Sequence, residues 1–151
     1  MNLTNTTMSA LAACAILLSP EPALAQKVFK RAENGVAVAV VEVIRNADNT
    51  ELHLQTMAAL KDVCWYPVGA YSPYLIADGH RYVFNDGDHL VGCPSRMNYA
   101  KGDIMVLRFE PLPASAHEFS LVEGKGGEDQ MRNPAAHKGQ RFWNFLHIKL
   151  D

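Results

Sequence analysis

The chain has 151 residues, with 14 Lys and Arg against 16 Asp and Glu, six His and a net charge of −2. That length supports one domain with its own core, and the absence of any block of Lys and Arg argues against a nucleic-acid partner. Beyond residue 25 no apolar run is long enough to cross a bilayer.

The first 25 residues read as a secretory signal peptide. Leu11 to Leu18 (LAACAILL) is too short to span a membrane but suits the apolar region of such a signal. Ala23-Leu24-Ala25 supplies small residues at −3 and −1, so cleavage after Ala25 is expected, leaving a single domain over residues 26–151 in the periplasm or outside the cell. No Lys or Arg precedes the apolar region, which is atypical. Leu11-Ala12-Ala13-Cys14 is similar to a lipoprotein cleavage box, but its Cys precedes most of the apolar run, which favours a plain cleavable signal.

From residue 35 onward a period of two dominates the chain. GVAVAVVEVIR (35–45) and TELHLQTM (50–57) read as strands joined by Asn46-Ala47-Asp48-Asn49, with Leu52 and Leu54 facing one way and Glu51, His53 and Gln55 the other. MAALKDV (57–63) is the one short stretch that suggests a turn or two of helix. PYLIADGHRYVF (73–84) reads as a hairpin on Asp78-Gly79, expected at a sheet margin. In IMVLRF (104–109), Met105, Leu107 and Phe109 share a face. GKGGEDQMRNPAAHKGQR (124–141) shows no period and reads as a long loop, a length that tends to be functional or disordered. RFWNFLHIKL (141–150) reads as a final strand, with Leu146, Ile148 and Leu150 on one face and Trp143, Phe145, His147 and Lys149 on the other. Seven to nine short strands at this spacing predict an all-β, antiparallel sandwich.

Cys14 departs with the signal, leaving Cys64 and Cys93. An even count in an exported chain, without a C-x-x-C or a nearby His, predicts one structural disulfide. Trp65, beside Cys64, is expected to pack near it and fill a small core. Glu110 and Glu123 are expected at strand exits, accepting backbone or Arg hydrogen bonds.

Trp65, the Leu75-x-Ala77-Asp78-Gly79 hairpin with Tyr82, the Phe109-Glu110-Pro111-Leu112-Pro113 strand exit and Glu123-Gly124 carry a resemblance. In outline, residues 36–150 are similar to the immunoglobulin-like domains of exported bacterial proteins. The resemblance implies an immunoglobulin-like β-sandwich and an exported life, and no activity.

Catalytic signatures are missing: no G-x-S-x-G, H-E-x-x-H, Walker loop or dinucleotide fingerprint occurs. Gly124-Lys125-Gly126-Gly127 lacks the Ser or Thr and the following helix-forming run of a phosphate cradle, and Asn85 to His89 lacks the spacing of a calcium loop. The six His never fall at close ligand spacing. The sequence therefore predicts a non-catalytic binding module without a cofactor or metal, contacting an envelope or secreted protein. The partner surface is placed on Met131, Arg132 and His137, extended by Trp143 and Phe145. The alternative is a periplasmic carrier of a small ligand, or of copper or zinc.

Overall fold

The computed structural model describes residues 22–151, so the signal sequence predicted over 1–25 lies almost wholly outside the described residues. Alternating side chains make strands wherever one face can be buried. In order these are β1 (Leu24–Arg31), β2 (Val38–Arg45), β3 (Thr50–Thr56), β4 (Leu60–Val63), β5 (Tyr74–Ala77), β6 (His80–Asp88), β7 (Met97–Tyr99), β8 (Ile104–Phe109), β9 (Glu118–Val122) and β10 (Phe145–Lys149). One helix, α1 (Gly124–Arg132), lies between β9 and β10. The protein is thus all-β in its main architecture, with ten strands among the described residues where seven to nine were expected.

Among the described residues, eight strands form one antiparallel sheet in the order β1-β2-β3-β8-β6-β5-β9-β10, while β4 and β7 pair only with each other. Strand β6 is the joint. Its first half pairs with β5 (Tyr74 opposite Val83), and past an irregularity at Phe84 to Asp86 its second half pairs with β8 (Asp88 opposite Val106). The sheet's two outer strands meet: Glu33 N–H donates to the Asn144 carbonyl at 2.9 Å, and Asp151 N–H donates to Gln26 Oε1 at 3.0 Å. Inside, Leu52, Leu54, Met105, Leu107 and Phe109 are fully buried, as their alternation predicts, and join Leu75, Phe119, Leu121 and Ile148 in one core.

Four local expectations need correction. The stretch 57–63 gives β4 instead of a helix, because Leu60 and Val63 pair with Tyr99 and Met97; strand partners outweigh a weak helical preference. In β10 the simple alternation breaks at His147, whose φ of 58° makes a bulge between Phe145 and Ile148, so that both of these face the core. The hairpin turn matches its reading, with Asp78 at φ 49° and Gly79 at φ 78°, but it lies inside the sheet between β8 and β9, not at a margin.

The fourth concerns residues 124–141, which begin with helix α1 instead of a loop. Three glycines in its first turn hide it from propensity. They are there for packing: an added Cβ at Gly124, Gly126 or Gly127 would overlap the Tyr71 backbone, the Phe142 ring or Asn144 Oδ1 respectively. The helix is tied to the hairpin, since Tyr74 Oη and Arg81 Nη2 both donate to Glu128 Oε1 at 3.0 Å, with the Arg81 guanidinium 4.2 Å from the Tyr74 ring centre.

Candidate functional site

Where β9 ends and α1 begins, the chain carries Glu123, only 8% exposed. Its Oε2 accepts the Trp143 N–H at 2.5 Å. Asn144, also buried, fixes the junction from the other side: its Oδ1 accepts the Glu123 N–H at 3.2 Å and its Nδ2 donates to the Gly127 carbonyl at 3.0 Å. Burial pushes the Glu123 carboxyl up to about 8, and the Trp143 N–H offsets only part of that cost. At neutral pH the group is mostly a protonated acid, able to donate one hydrogen bond.

Glu123 borders a cleft of about 520 Å³. The inner wall is aromatic. Trp65 and Trp143 are 3% and 6% exposed and meet edge to face, with ring centres 4.9 Å apart. Phe142 continues that wall and stacks on Tyr71 at 6.0 Å. The Trp65 Nε1 is buried and, although the Tyr99 side chain is its neighbour, makes no aligned hydrogen bond among the described residues; the Tyr99 hydroxyl donates to the His89 carbonyl at 2.7 Å. At the mouth stand the exposed side chains of Lys61, Asp62, Arg96 and Arg141. Arg96 Nη1 donates to the Asp62 carbonyl at 3.0 Å, which holds it against β4.

The disulfide positions one side of this cleft. Cys64 and Cys93 are bonded, with Cα atoms 5.0 Å apart. Beside the bond, Trp65 N–H donates to the Val91 carbonyl and Cys93 N–H to the Trp65 carbonyl, both at 2.9 Å. This double tether sets Trp65 where the fold needs it, as its neighbouring Cys suggested.

The residues predicted to meet a partner separate. Met131 and Arg132 are exposed at the end of α1, where Arg132 lies 3.9 Å from Glu128. His137 is half-buried: its Nε2 is 2.9 Å from Asp129 Oδ2 and its ring meets Phe142 edge-on. Phe145 is wholly buried and Trp143 nearly so, so neither extends an outer surface; the bulge at His147 turns Phe145 inward. Trp143 instead lines the cleft. Glu110 behaves as a strand-exit acid, accepting the Val83 N–H at 3.0 Å. Glu123 does so too, but in a setting that the sequence did not disclose. Its one trace there is the run of glycines after it, which lets Phe142 and Asn144 pack directly against the start of α1.

Among the described residues no three His, Cys, Asp or Glu side chains gather to hold a metal, and no helix is long and apolar enough to cross a membrane. Compared with family models, curated proteins and solved structures, the chain shows no match.

Proposed function

We propose that the chain is an exported, non-catalytic binding module that takes a small ring-bearing molecule in the cleft beside Glu123. One observation carries the reading: two buried tryptophans and a buried carboxyl line a single cleft of about 520 Å³. Its size and its buried aromatic wall are those of small-molecule sites, while the rest of the lining is mostly polar. A raised carboxyl also suits a general acid. Binding is favoured because the cleft's thiol, Cys64, is held in the disulfide and the remaining carboxyl, Asp62, stands out in solvent at the mouth.

Export is supported by the disulfide, a bond kept in oxidising compartments. The immunoglobulin-like sandwich is supported by β6, which passes from one half of the sheet to the other while both halves bury their apolar faces in one core. Contact with a protein partner stands as a second reading, favoured by the exposure of Met131 (46%) and of the Arg132 side chain (76%). The copper or zinc alternative gains no support from the side-chain arrangement among the described residues.

The test uses the chain's two tryptophans, Trp65 and Trp143, whose indole N–H groups give two assignable NMR signals. Ring-bearing fragments are expected to shift both signals saturably. Indole signals that stay still throughout a fragment series would overturn the reading.

A further inference from the structure

The cleft's charge narrows the class of ligand, an inference that rests on the cleft being the binding site. Many Lys and Arg side chains among the described residues have a carboxylate partner, including Lys27, Lys30, Arg81, Arg108, Lys125 and Lys149. Lys61, Arg96 and Arg141 are among those without such a partner in the described residues, as are Arg31, Arg45, Lys101 and Lys138; what sets the three apart is that they share a cleft. Arg96 donates only to a carbonyl. All three line the same cleft, with Asp62 as the single exposed carboxyl among them. A chain whose net charge is −2 thus places a cluster of uncommitted cations at one mouth.

The inner end has the opposite demand. Trp65, Trp143 and Phe142 back the inner end with largely buried rings, and Glu123 stands among them with one oxygen already accepting the Trp143 N–H. A ligand anion buried beside that carboxyl would face a second acid in a low dielectric, whereas at the mouth it meets three cations that remain partly hydrated. The cleft therefore has a direction. We propose that it binds a small aromatic carboxylate, ring inward against Trp65 and Trp143 and carboxylate outward at Lys61, Arg96 and Arg141. Two Arg side chains suit a planar carboxylate, which each can engage with paired N–H donors.

The experiment titrates the intact chain with three matched probes, phenylacetate, phenylacetamide and phenethylamine, following the two indole N–H signals. Phenylacetate is expected to bind at least about ten-fold more tightly than the other two, as expected for a hydrogen-bonded charge. Arg96→Gln and Arg141→Gln, both at exposed positions, are each expected to weaken phenylacetate by about ten-fold and phenylacetamide by much less. Equal affinity for all three probes, a preference for the amine, or Gln variants that bind phenylacetate as before would overturn the anion assignment while leaving the cleft as a binding site. No response to any probe would overturn both.

Discussion

Glu123 ties stability to pH with a definite sign. Its carboxyl rises from an ordinary 4.5 to about 8 on folding, because burial disfavours the charged form. Between those values the folded state holds a proton that the unfolded state has lost, so stability falls as pH rises through that window, by up to about 1.4 kcal/mol per pH unit. Below 4.5 the contribution is complete, and above about 8 it is gone. Glu33 and Glu42, lowered by hydrogen bonds from Lys30 and Lys27, act in the other sense and only as pH falls below the ordinary carboxyl range. We therefore expect the melting temperature to decline from about pH 5 to pH 8, and Glu123→Gln, which keeps an acceptor for the Trp143 N–H, to flatten the decline. An unchanged slope in the variant would show that Glu123 does not carry the effect.

The glycines make two contrasting predictions at the same scale. Gly126→Ala drives a Cβ into the Phe142 ring and is expected to lose about 1–3 kcal/mol in urea melts, with displacement of a cleft-lining side chain. Gly79 has open space around it but a φ of 78°, so Gly79→Val should lose about 1–3 kcal/mol through backbone strain alone, with fragment binding retained. Lost binding at an unchanged melting temperature for Gly79→Val would contradict a purely structural turn.

Among the elements, β4 and β7 depend most on covalent help. They pair only with each other, and the disulfide and the Trp65–Gly92 bridge fasten the segments that adjoin them. Closing 29 residues of chain contributes about 3.6 kcal/mol in the loop-entropy picture. Cys64→Ser with Cys93→Ser is expected to lose about 2–5 kcal/mol and to loosen the Trp65 side of the cleft, read as a broadened Trp65 indole signal. Two free thiols in non-reducing mass spectrometry of the native protein would remove the basis for this prediction. Strands β3 and β8 were legible because each buries one full face, and the hairpin because Asp-Gly suits the turn it makes. Helix α1 was not legible. Its amphipathic signal is diluted by glycines whose purpose, close approach to Tyr71, Phe142 and Asn144, exists only in the folded state.

At the scale of the molecule, the predicted cleavage after Ala25 removes the first two residues of β1, Leu24 and Ala25, which pair with Arg45 and Ile44. Both are exposed, so a chain beginning at Gln26 is expected to melt within about 2 °C of one beginning at Pro22. N-terminal sequencing of the mature product checks the cut itself: a start other than Gln26 would refute the predicted cleavage site.

The sequence by itself determined the all-β character, the inward faces of β3 and β8, the Asp78-Gly79 turn and the Cys64–Cys93 pair. Each depends on near neighbours or on a count: alternation is written residue by residue, a turn by two positions, and once Cys14 is set aside with the predicted signal the two remaining cysteines have one way to pair. Only the tertiary structure decided that Trp65 and Trp143 share a wall, that Glu123 is buried beside them, and that Lys61, Arg96 and Arg141 stand at one mouth. Those residues are spread from position 61 to position 143 on separate elements, so no local period links them. A one-residue bulge at His147 was enough to turn Phe145 into the core. Burial, charge and proximity in the cleft are products of packing, and packing is set by the whole chain at once.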